Sequence, residues 1–369
     1  MVTAAYDAQH MTRALALAAR GQGLVEPNPM VGCVIARGEQ VLAEGWHGRF
    51  GGPHAEIEAL RMAGAAAAGA TLYVTLEPCC HAGKTPPCTA AVIAAGLRRV
   101  VVAQVDPFPR VAGGGLAQLQ AAGLDVEVGL CEPAARRLNA PYLKLVTTGR
   151  PWIIAKWAMT LDGKIATRTG SSQWISGAAA RAVVHQLRGR VDALLVGRGT
   201  AATDNPLLTA RPPGARTATR IVVDTHAALS LDSRLVQTAR ETPVLVASGP
   251  TAAAERRQAL RAAGCEVWVG EAAERRERLG QLLDELGSRR MTNVLVEGGG
   301  QLLGNLFDLG AIDEVHAFIA PKLVGGAQAP GPLAGRGVAQ MLEAVRLEQP
   351  VVDMLENDLY LRACLHREG

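Results

Sequence analysis

The sequence predicts two α/β domains in tandem. The first reason is its length, because 369 residues exceed one ordinary domain of about 150 residues. The second is that short β-branched runs alternate with helical patterns in both halves, which is typical of layered α/β domains with a largely parallel sheet. The rhythm breaks around 139–151. We therefore place the linker at 147–151 and the domains at 1–148 and 149–369.

The first half contains an opening helix and then a mixture of both element types. Apolar residues at helical spacing predict a helix that ends at Gly21. The predicted helices are 7–20, 54–62, 87–95 and 115–122. The predicted strands are 30–35, 40–45, 71–76, 100–105 and 126–130, the first two being joined across a glycine turn.

The second half repeats the alternation with more strands. The predicted strands are 152–158, 193–196, 220–223, 243–247, 266–269, 293–296, 316–320 and 351–362. The predicted helices between them include 177–187 and 252–263. No G-x-G-x-x-G follows a strand, so the sequence does not support a Rossmann domain.

Composition narrows the function classes. No run approaches the roughly 18 apolar residues of a membrane span, and the N-terminus lacks a signal-peptide core, so we expect a cytoplasmic protein without membrane contact. A net charge of +4 and an aromatic content of 4% disfavour nucleic acid as a partner. An odd count of seven cysteines argues against a disulfide framework. The oligomeric state is left open, and a homo-oligomer is compatible with the sequence.

A metal site is indicated by one histidine and a cluster of cysteines. His54, Cys79 and Cys88 offer an imidazole and two thiolates, the three protein ligands of a catalytic zinc that keeps one position for water. Glu56 lies two residues from His54, where a carboxyl can move a proton without binding the metal. This His-x-Glu and Pro-Cys…Cys pattern is a known signature of zinc deaminases.

A structural zinc site is the alternative, with Cys80 or His81 as a fourth ligand. Two observations disfavour it. The strand 71–76 leads into Cys79, which places ligands at the carboxyl end of a strand, where α/β sites lie. A structural site also has no use for an acidic residue beside its first ligand.

The long cysteine loop resembles one family closely. Eight residues separate Cys79 from Cys88, and this string, with the segments 27–34 and 45–56, resembles the bifunctional riboflavin-biosynthesis deaminase/reductases. The resemblance implies a cytidine-deaminase-like three-layer domain. It also implies a substrate, 2,5-diamino-6-ribosylamino-4(3H)-pyrimidinone 5′-phosphate, whose 2-amino group leaves as ammonia with a proton from Glu56. One departure is Phe108, where the family has Asn.

The same resemblance implies three substrate contacts in the first domain. Asn28 and His47 hold the pyrimidine edge, and Lys84 meets the phosphate. Each residue also has an ordinary explanation: Asn28 can shape a turn, His47 can be a hydrogen-bonded core histidine, and Lys84 can be solvated surface charge.

Two glycine clusters, at 197–199 and 298–300, follow predicted strands and could cradle phosphate, although this signal is weak alone.

Segments 156–166, 172–175 and 204–211 resemble the reductase half of the family, which is dihydrofolate-reductase-like and uses NADPH. The implied cofactor contacts are Ala158, Trp174, Thr200, Asp204, Gly299, Gly300, Gln301, Leu302, Leu303, Gly304 and Asn305. The implied substrate contacts are Ser172, Arg188, Leu208, Arg211 and Glu297. Without the resemblance, the two arginines would be explained as ordinary surface charge.

The leading hypothesis is therefore a two-domain enzyme that deaminates and then reduces one riboflavin precursor, with one zinc ion per chain and NADPH. The implied reduction converts the ribosyl group to a ribityl chain. Its proton donor is left open among Lys156, Asp162 and Glu297. One alternative is a deaminase of a nucleoside or tRNA base with a non-catalytic second domain. The other is a zinc-stabilised binding module without catalysis.

Overall fold

The computed structural model describes residues 2–81 and 86–366. The chain divides into two compact units, Met1–Gly149 and Arg150–Gly369. Most of the predicted strands and helices are present within a few residues of their expected positions. In the described residues, no helix is long and apolar enough to cross a membrane.

The first unit is built on a five-stranded sheet. Its strands are β1 (Gly32–Arg37), β2 (Gln40–Trp46), β3 (Thr71–Val74), β4 (Arg99–Val102) and β5 (Asp125–Val128). Its helices are α1 (Val2–Ala18), α2 (Ala55–Ala63), α3 (Cys88–Ala94), α4 (Gly114–Ala121), α5 (Glu132–Leu138) and α6 (Ala140–Thr148).

The strand order is β2-β1-β3-β4-β5, and only β3, β4 and β5 run parallel. The expectation of a largely parallel sheet is therefore wrong at the β1–β2 hairpin, because β1 pairs antiparallel with both of its neighbours. Side chains from α2, α3 and α4 pack on one face, and side chains from α1 and α5 pack on the other. The unit has three layers, as the family resemblance implied.

The segment in which the rhythm breaks, 139–151, is mostly helical, and only 149–151 of the expected linker lie outside a helix. Helix α6 extends to Thr148 and ends at Gly149, whose φ of 71° is the left-handed conformation that glycine adopts at helix ends. Both α5 and α6 carry a proline in the first turn, where its fixed φ favours helix initiation. These helices are short and carry no long apolar stripe, so the periodicity did not reveal them.

The second unit is built on a nine-stranded sheet. Its strands are β6 (Trp152–Thr160), β7 (Ala193–Gly197), β8 (Thr219–Val223), β9 (Val244–Ser248), β10 (Glu266–Val269), β11 (Asn293–Val296), β12 (Glu314–Ala320), β13 (Leu347–Leu355) and β14 (Asp358–Leu365). Its helices are α7 (Ala178–Arg188), α8 (Arg198–Asp204), α9 (Arg234–Gln237), α10 (Ala254–Ala262), α11 (Arg275–Ser288) and α12 (Gly300–Asp308).

The order is β10-β9-β8-β7-β11-β6-β12-β14-β13, and all strands up to β12 are parallel. The run 351–362, expected to be one strand, contains the turn of the β13–β14 hairpin, where Glu356 has a φ of 57°. Helices α7–α10 pack on one face of the sheet through one apolar cluster, and α11 and α12 pack on the other face through a second cluster. The carboxyl ends of the parallel strands therefore share one edge, where α/β sites form.

Candidate active sites

Three side chains of the first unit converge in the arrangement that zinc requires. His54 precedes α2, Cys88 begins α3, and Cys79 lies in the loop after β3. His54 Nδ1 lies 3.2 Å from Cys88 Sγ and 3.6 Å from Cys79 Sγ. Tetrahedral zinc with bond lengths of about 2.0–2.3 Å separates such donors by about 3.5 Å, so this donor set fits the ion.

Cys80 and His81 do not belong to this cluster. Within the described residues, the one group of three or more candidate ligands is His54, Cys79 and Cys88. The Cys80 thiol instead points to the carbonyl of Arg110, at 3.7 Å. Three protein ligands leave a coordination position free, as in catalytic rather than structural zinc sites.

The environment of Cys79 favours its thiolate. A hydrogen bond from Cys88 lowers the pKa of Cys79 to about 4, against the opposing effect of burial, and His54 lowers it further. The backbone N–H of Cys88 also donates to Cys79 Sγ at 3.4 Å. A ligand that is already deprotonated can bind a metal near neutral pH without first losing a proton.

Glu56 is the buried acid beside these ligands. It lies in the first turn of α2, and its exposed fraction is 3%. Burial raises the pKa of Glu56 above its ordinary value. A raised pKa makes the carboxylate a better proton acceptor, which suits it to general acid–base catalysis.

Asn28 and His47 lie next to the metal ligands. The His47 ring is 5.4 Å from the His54 ring. His47 Nδ1 donates to the carbonyl of Pro53 at 2.9 Å, which leaves Nε2 to accept from the Asn28 amide at 3.4 Å. The third residue expected to bind substrate, Lys84, lies outside the described residues.

Sequence reasoning missed Glu77, which holds the neighbouring loop. Its buried carboxylate accepts four backbone N–H bonds of 2.8–3.2 Å, from Asp106, Gly113, Gly115 and Leu116. The loop after β4 is thereby fixed to the segment that carries Cys79. An acidic residue next to Pro-Cys was the only local signal, and it does not reveal partners some 30–40 residues away.

Phe108, the departure from the family pattern, lies on this loop. Its ring is 6.3 Å from the ring of His81, and its backbone N–H donates to Asp106 Oδ1 at 2.9 Å. The Asp106 carboxylate also accepts from Tyr142 at 3.0 Å.

The second unit has a charged cluster at the end of β11. Arg188, the last residue of α7, donates to both oxygens of Glu297 at 2.5 and 2.8 Å. Lys156 Nζ on β6 lies 3.7 Å from Glu297 Oε2. Although burial acts to raise it, Arg188 and then Lys156 lower the pKa of Glu297 to about 2. Burial lowers the pKa of Lys156, against the attraction of Glu297.

Asp162 is not part of this cluster. Its carboxylate accepts from the Thr160 hydroxyl at 2.6 Å and from the backbone of Gly325 at 2.6 Å. These bonds lower the pKa of Asp162 to about 2. Asp162 therefore ties a loop to the end of β6.

A glycine turn at the start of α12 lies against Thr200. Gly298 and Gly299 have φ values of 104° and 82°, conformations that other residues rarely adopt. A side chain at Gly299 would bring its Cβ within 3.3 Å of Thr200 Oγ1. Backbone N–H groups at such a turn and helix N-terminus favour phosphate, so this region fits a dinucleotide. Gln301, Leu302, Leu303, Gly304 and Asn305 follow in the helix.

The remaining residues implied by the resemblance are spread around the second unit. Ala158 lies on β6, two residues from Lys156. Trp174 is 67% exposed, and the Arg181 guanidinium stacks on its ring at 4.7 Å. Ser172 is hydrogen-bonded to Asp204, whose pKa is raised by burial.

Two further residues follow α8. Leu208 is buried and has a φ of 53°. Arg211 is exposed, and its backbone N–H donates to His185 Nδ1 at 3.2 Å. Burial and the neighbouring Arg188 lower the pKa of His185.

Together, the two units define a zinc deaminase joined to a reductase. Residues 5–104 match the model described as the cytidine and deoxycytidylate deaminase zinc-binding region. Residues 151–361 match the model of the RibD C-terminal domain. The second match disfavours a non-catalytic second domain.

Relatives that match nearly the whole chain support the same combination of a deaminase and a reductase. The riboflavin biosynthesis protein RibD of Actinobacillus pleuropneumoniae is 42% identical over 96% of this chain and 94% of its own length. The RibD protein of Escherichia coli is 39% identical over 98% of this chain and 99% of its own length. A solved structure of Acinetobacter baumannii RibD matches with a TM-score of 0.87 and 36% identity over 99% of this chain and 100% of that chain.

A Thermotoga maritima structure is 32% identical with a TM-score of 0.85 over 98% of this chain and 99% of that chain. It is described as a diaminohydroxyphosphoribosylaminopyrimidine deaminase/5-amino-6-(5-phosphoribosylamino)uracil reductase. The chain belongs to the RibD family. It is a bifunctional enzyme of riboflavin biosynthesis, a zinc-dependent deaminase and an NADPH-dependent reductase.

Proposed function

We propose that the first unit removes the 2-amino group of 2,5-diamino-6-ribosylamino-4(3H)-pyrimidinone 5′-phosphate, and that the second unit reduces the ribosyl group of the product to ribityl. The observation that carries this proposal is the pair of charged sites in one chain. Glu56 is buried beside a three-ligand metal site, and Lys156 is buried beside Glu297 and Arg188. The name of the Thermotoga relative supports the substrate.

In deamination, Glu56 moves the proton. His54, Cys79 and Cys88 hold zinc, which when bound supplies Lewis-acid chemistry that makes water nucleophilic near neutral pH. Glu56 takes a proton from the attacking water and delivers it to the departing amine nitrogen. Its burial excludes solvent, so the proton passes between reacting groups and is not lost to bulk water.

Asn28 and His47 orient the pyrimidine. Because His47 Nδ1 is bound to the Pro53 carbonyl, its ring is fixed beside the ligands and its tautomer is set. The Asn28 amide retains hydrogen-bonding capacity for the ring edge. We assign the substrate phosphate to Lys84 on the basis of the family motif.

In reduction, the cofactor binds along the carboxyl edge of the second sheet. We assign it to Ala158, Trp174, Thr200, Asp204 and the residues from Gly299 to Asn305. NADPH supplies the hydride when it is bound. The Gly299 turn supports a phosphate contact, and we assign the substrate to Ser172, Arg188, Leu208, Arg211 and Glu297.

Lys156 is the proton donor that the geometry favours. Asp162 is committed to backbone N–H groups of a loop. Glu297 is ionised and accepts hydrogen bonds from two guanidinium nitrogens of Arg188. Lys156 retains a cationic group with protons to donate, and it lies next to the cluster that we assign to the substrate. It supplies a proton to the ring oxygen of the ribosyl group, which becomes a hydroxyl as its bond to the anomeric carbon breaks and that carbon receives the hydride.

A paired assay tests the function directly. Purified protein with zinc, the diaminopyrimidinone phosphate and NADPH is expected to release ammonia and then to consume NADPH. Both are followed in one reaction, by ammonia detection and by nicotinamide absorbance. Ammonia without NADPH oxidation would contradict the reductase assignment, and zinc binding with neither signal would contradict the substrate.

Replacing Arg211 by alanine is expected to raise the reductase KM for its phosphorylated substrate about tenfold, because a guanidinium–phosphate pair is a strong charge-assisted contact. The residue is exposed, so little stability is lost. Reductase kinetics with the separately prepared deaminated substrate measure the effect. Arg256→Ala, an equal charge change at an exposed site on α10, is the control. Equal KM values in both variants would remove Arg211 from the phosphate site.

A further inference from the structure

A stacked pair of aromatic rings lies beneath the reductase site. Phe318 on β12 and Tyr360 on β14 are cross-strand partners, and their ring centroids are 4.6 Å apart at an interplanar angle of 10°. Their exposed fractions are 0% and 5%. Lys156 Nζ lies over the Phe318 ring, 5.9 Å from its centroid. The cation thus has an aromatic face on one side and Glu297 on another.

A hydrogen-bonded chain fixes the orientation of this pair. The Tyr360 hydroxyl donates to His316 Nδ1 at 2.6 Å, and His316 Nε2 donates to a Glu314 oxygen at 2.7 Å. The other Glu314 oxygen accepts from the Trp152 indole at 2.9 Å. These hydrogen bonds connect β6, β12 and β14 and hold the Tyr360 ring in one orientation. The Phe318 ring is stacked on it.

The same rings also support helix α7. Ala180 and Val184 belong to the apolar cluster of Phe318 and Tyr360. Val184 lies one helical turn before Arg188, the partner of Glu297. The aromatic pair therefore contacts Lys156 and also packs against the helix that carries Arg188.

The charges around Lys156 leave its ammonium only partly stabilised. Glu297 attracts it, but both Glu297 oxygens are bound by Arg188, whose own charge repels Lys156. His185 lies near the same carboxylate. His316 is the in-register neighbour of Lys156 on β12, but both of its ring nitrogens are bound by Tyr360 and Glu314. The negative face of a buried aromatic ring attracts a desolvated cation.

We propose that Phe318 is a positioning residue of the reductase: its ring face holds the Lys156 ammonium in place and in its charged form. The proposal rests on the proton-donor role proposed above for Lys156. It assigns a function in catalysis to a residue that is otherwise explained as part of the core.

The test replaces Phe318 with phenylalanines of increasing fluorination, which keep the ring but progressively weaken its negative face. A weaker face destabilises the ammonium, so the pKa of Lys156 falls and the proton donor is lost at lower pH. Across the series, we expect the alkaline limb of the reductase kcat profile to move to lower pH by about 0.5–1 unit. The KM for NADPH and the rate of ammonia release are expected to stay constant. The control places the same fluorinated phenylalanines at Phe50, which lies in the deaminase unit.

A second readout does not depend on catalysis. The chain has only five lysines, so the titration of Lys156 can be followed by NMR with lysine labelled at Cε. A Lys156 pKa that is the same throughout the fluorinated series would overturn the inference, even if Phe318→Leu lowers activity through packing. If instead the pKa of Lys156 fell but the alkaline limb of the reductase kcat profile did not move, the proton-donor role of Lys156 would be contradicted. The stabilisation of its ammonium by the Phe318 ring would still be confirmed.

Discussion

Glu56→Gln is expected to reduce deamination by about 10²–10⁴-fold, the usual contribution of a general acid–base group. Glutamine has nearly the same size and shape as glutamate but cannot accept and return a proton. Because Glu56 is not in the ligand cluster, the variant is expected to keep one zinc per chain and full reductase activity. Ammonia release, metal content and NADPH consumption are measured on the same preparation.

The control for this variant is Glu58→Gln, in the same first turn of α2. Glu58 forms an ion pair with Arg61 at 2.5 Å and has no place in the metal site. It is expected to retain the deaminase rate. If Glu56→Gln released ammonia as fast as Glu58→Gln, Glu56 would not be the proton carrier.

Lys156→Met is expected to lower the reductase kcat by about 10²-fold or more, because methionine fills similar space but has no proton to donate. Glu297 keeps its two bonds from Arg188, so the substitution leaves no unpaired buried carboxylate. We therefore expect the fold to persist and the KM for NADPH to change little. Stopped-flow reduction of the deaminated substrate measures the effect.

Deamination by the same variant is the internal control. It is expected to proceed at the wild-type rate, since Lys156 lies in the second unit. A kcat within a factor of two of wild type, with an unchanged alkaline limb, would eliminate Lys156 and return the proton-donor role to an unassigned group.

Local sequence was sufficient to predict the candidate metal site because its three residues lie at element ends that the sequence marks clearly. The strand before Cys79 and the helix after His54 were both predicted, and each places its ligand at a definite point. The thiolate–imidazole chemistry follows from residue types alone. The helices α5 and α6 escaped prediction because both are short and begin with a proline in the first turn, without an apolar period.

The sequence alone thus determined the α/β class and, through the family resemblance, the reaction type, and it predicted the candidate donor set His54, Cys79 and Cys88. Only the tertiary structure showed what each of the three candidate proton donors, Lys156, Asp162 and Glu297, contacts. It also showed the partners of Glu77 and the stack of Phe318 on Tyr360. The physical reason is that hydrogen bonds and packing between distant residues depend on strand register, and register is set by the whole sheet rather than by any local pattern.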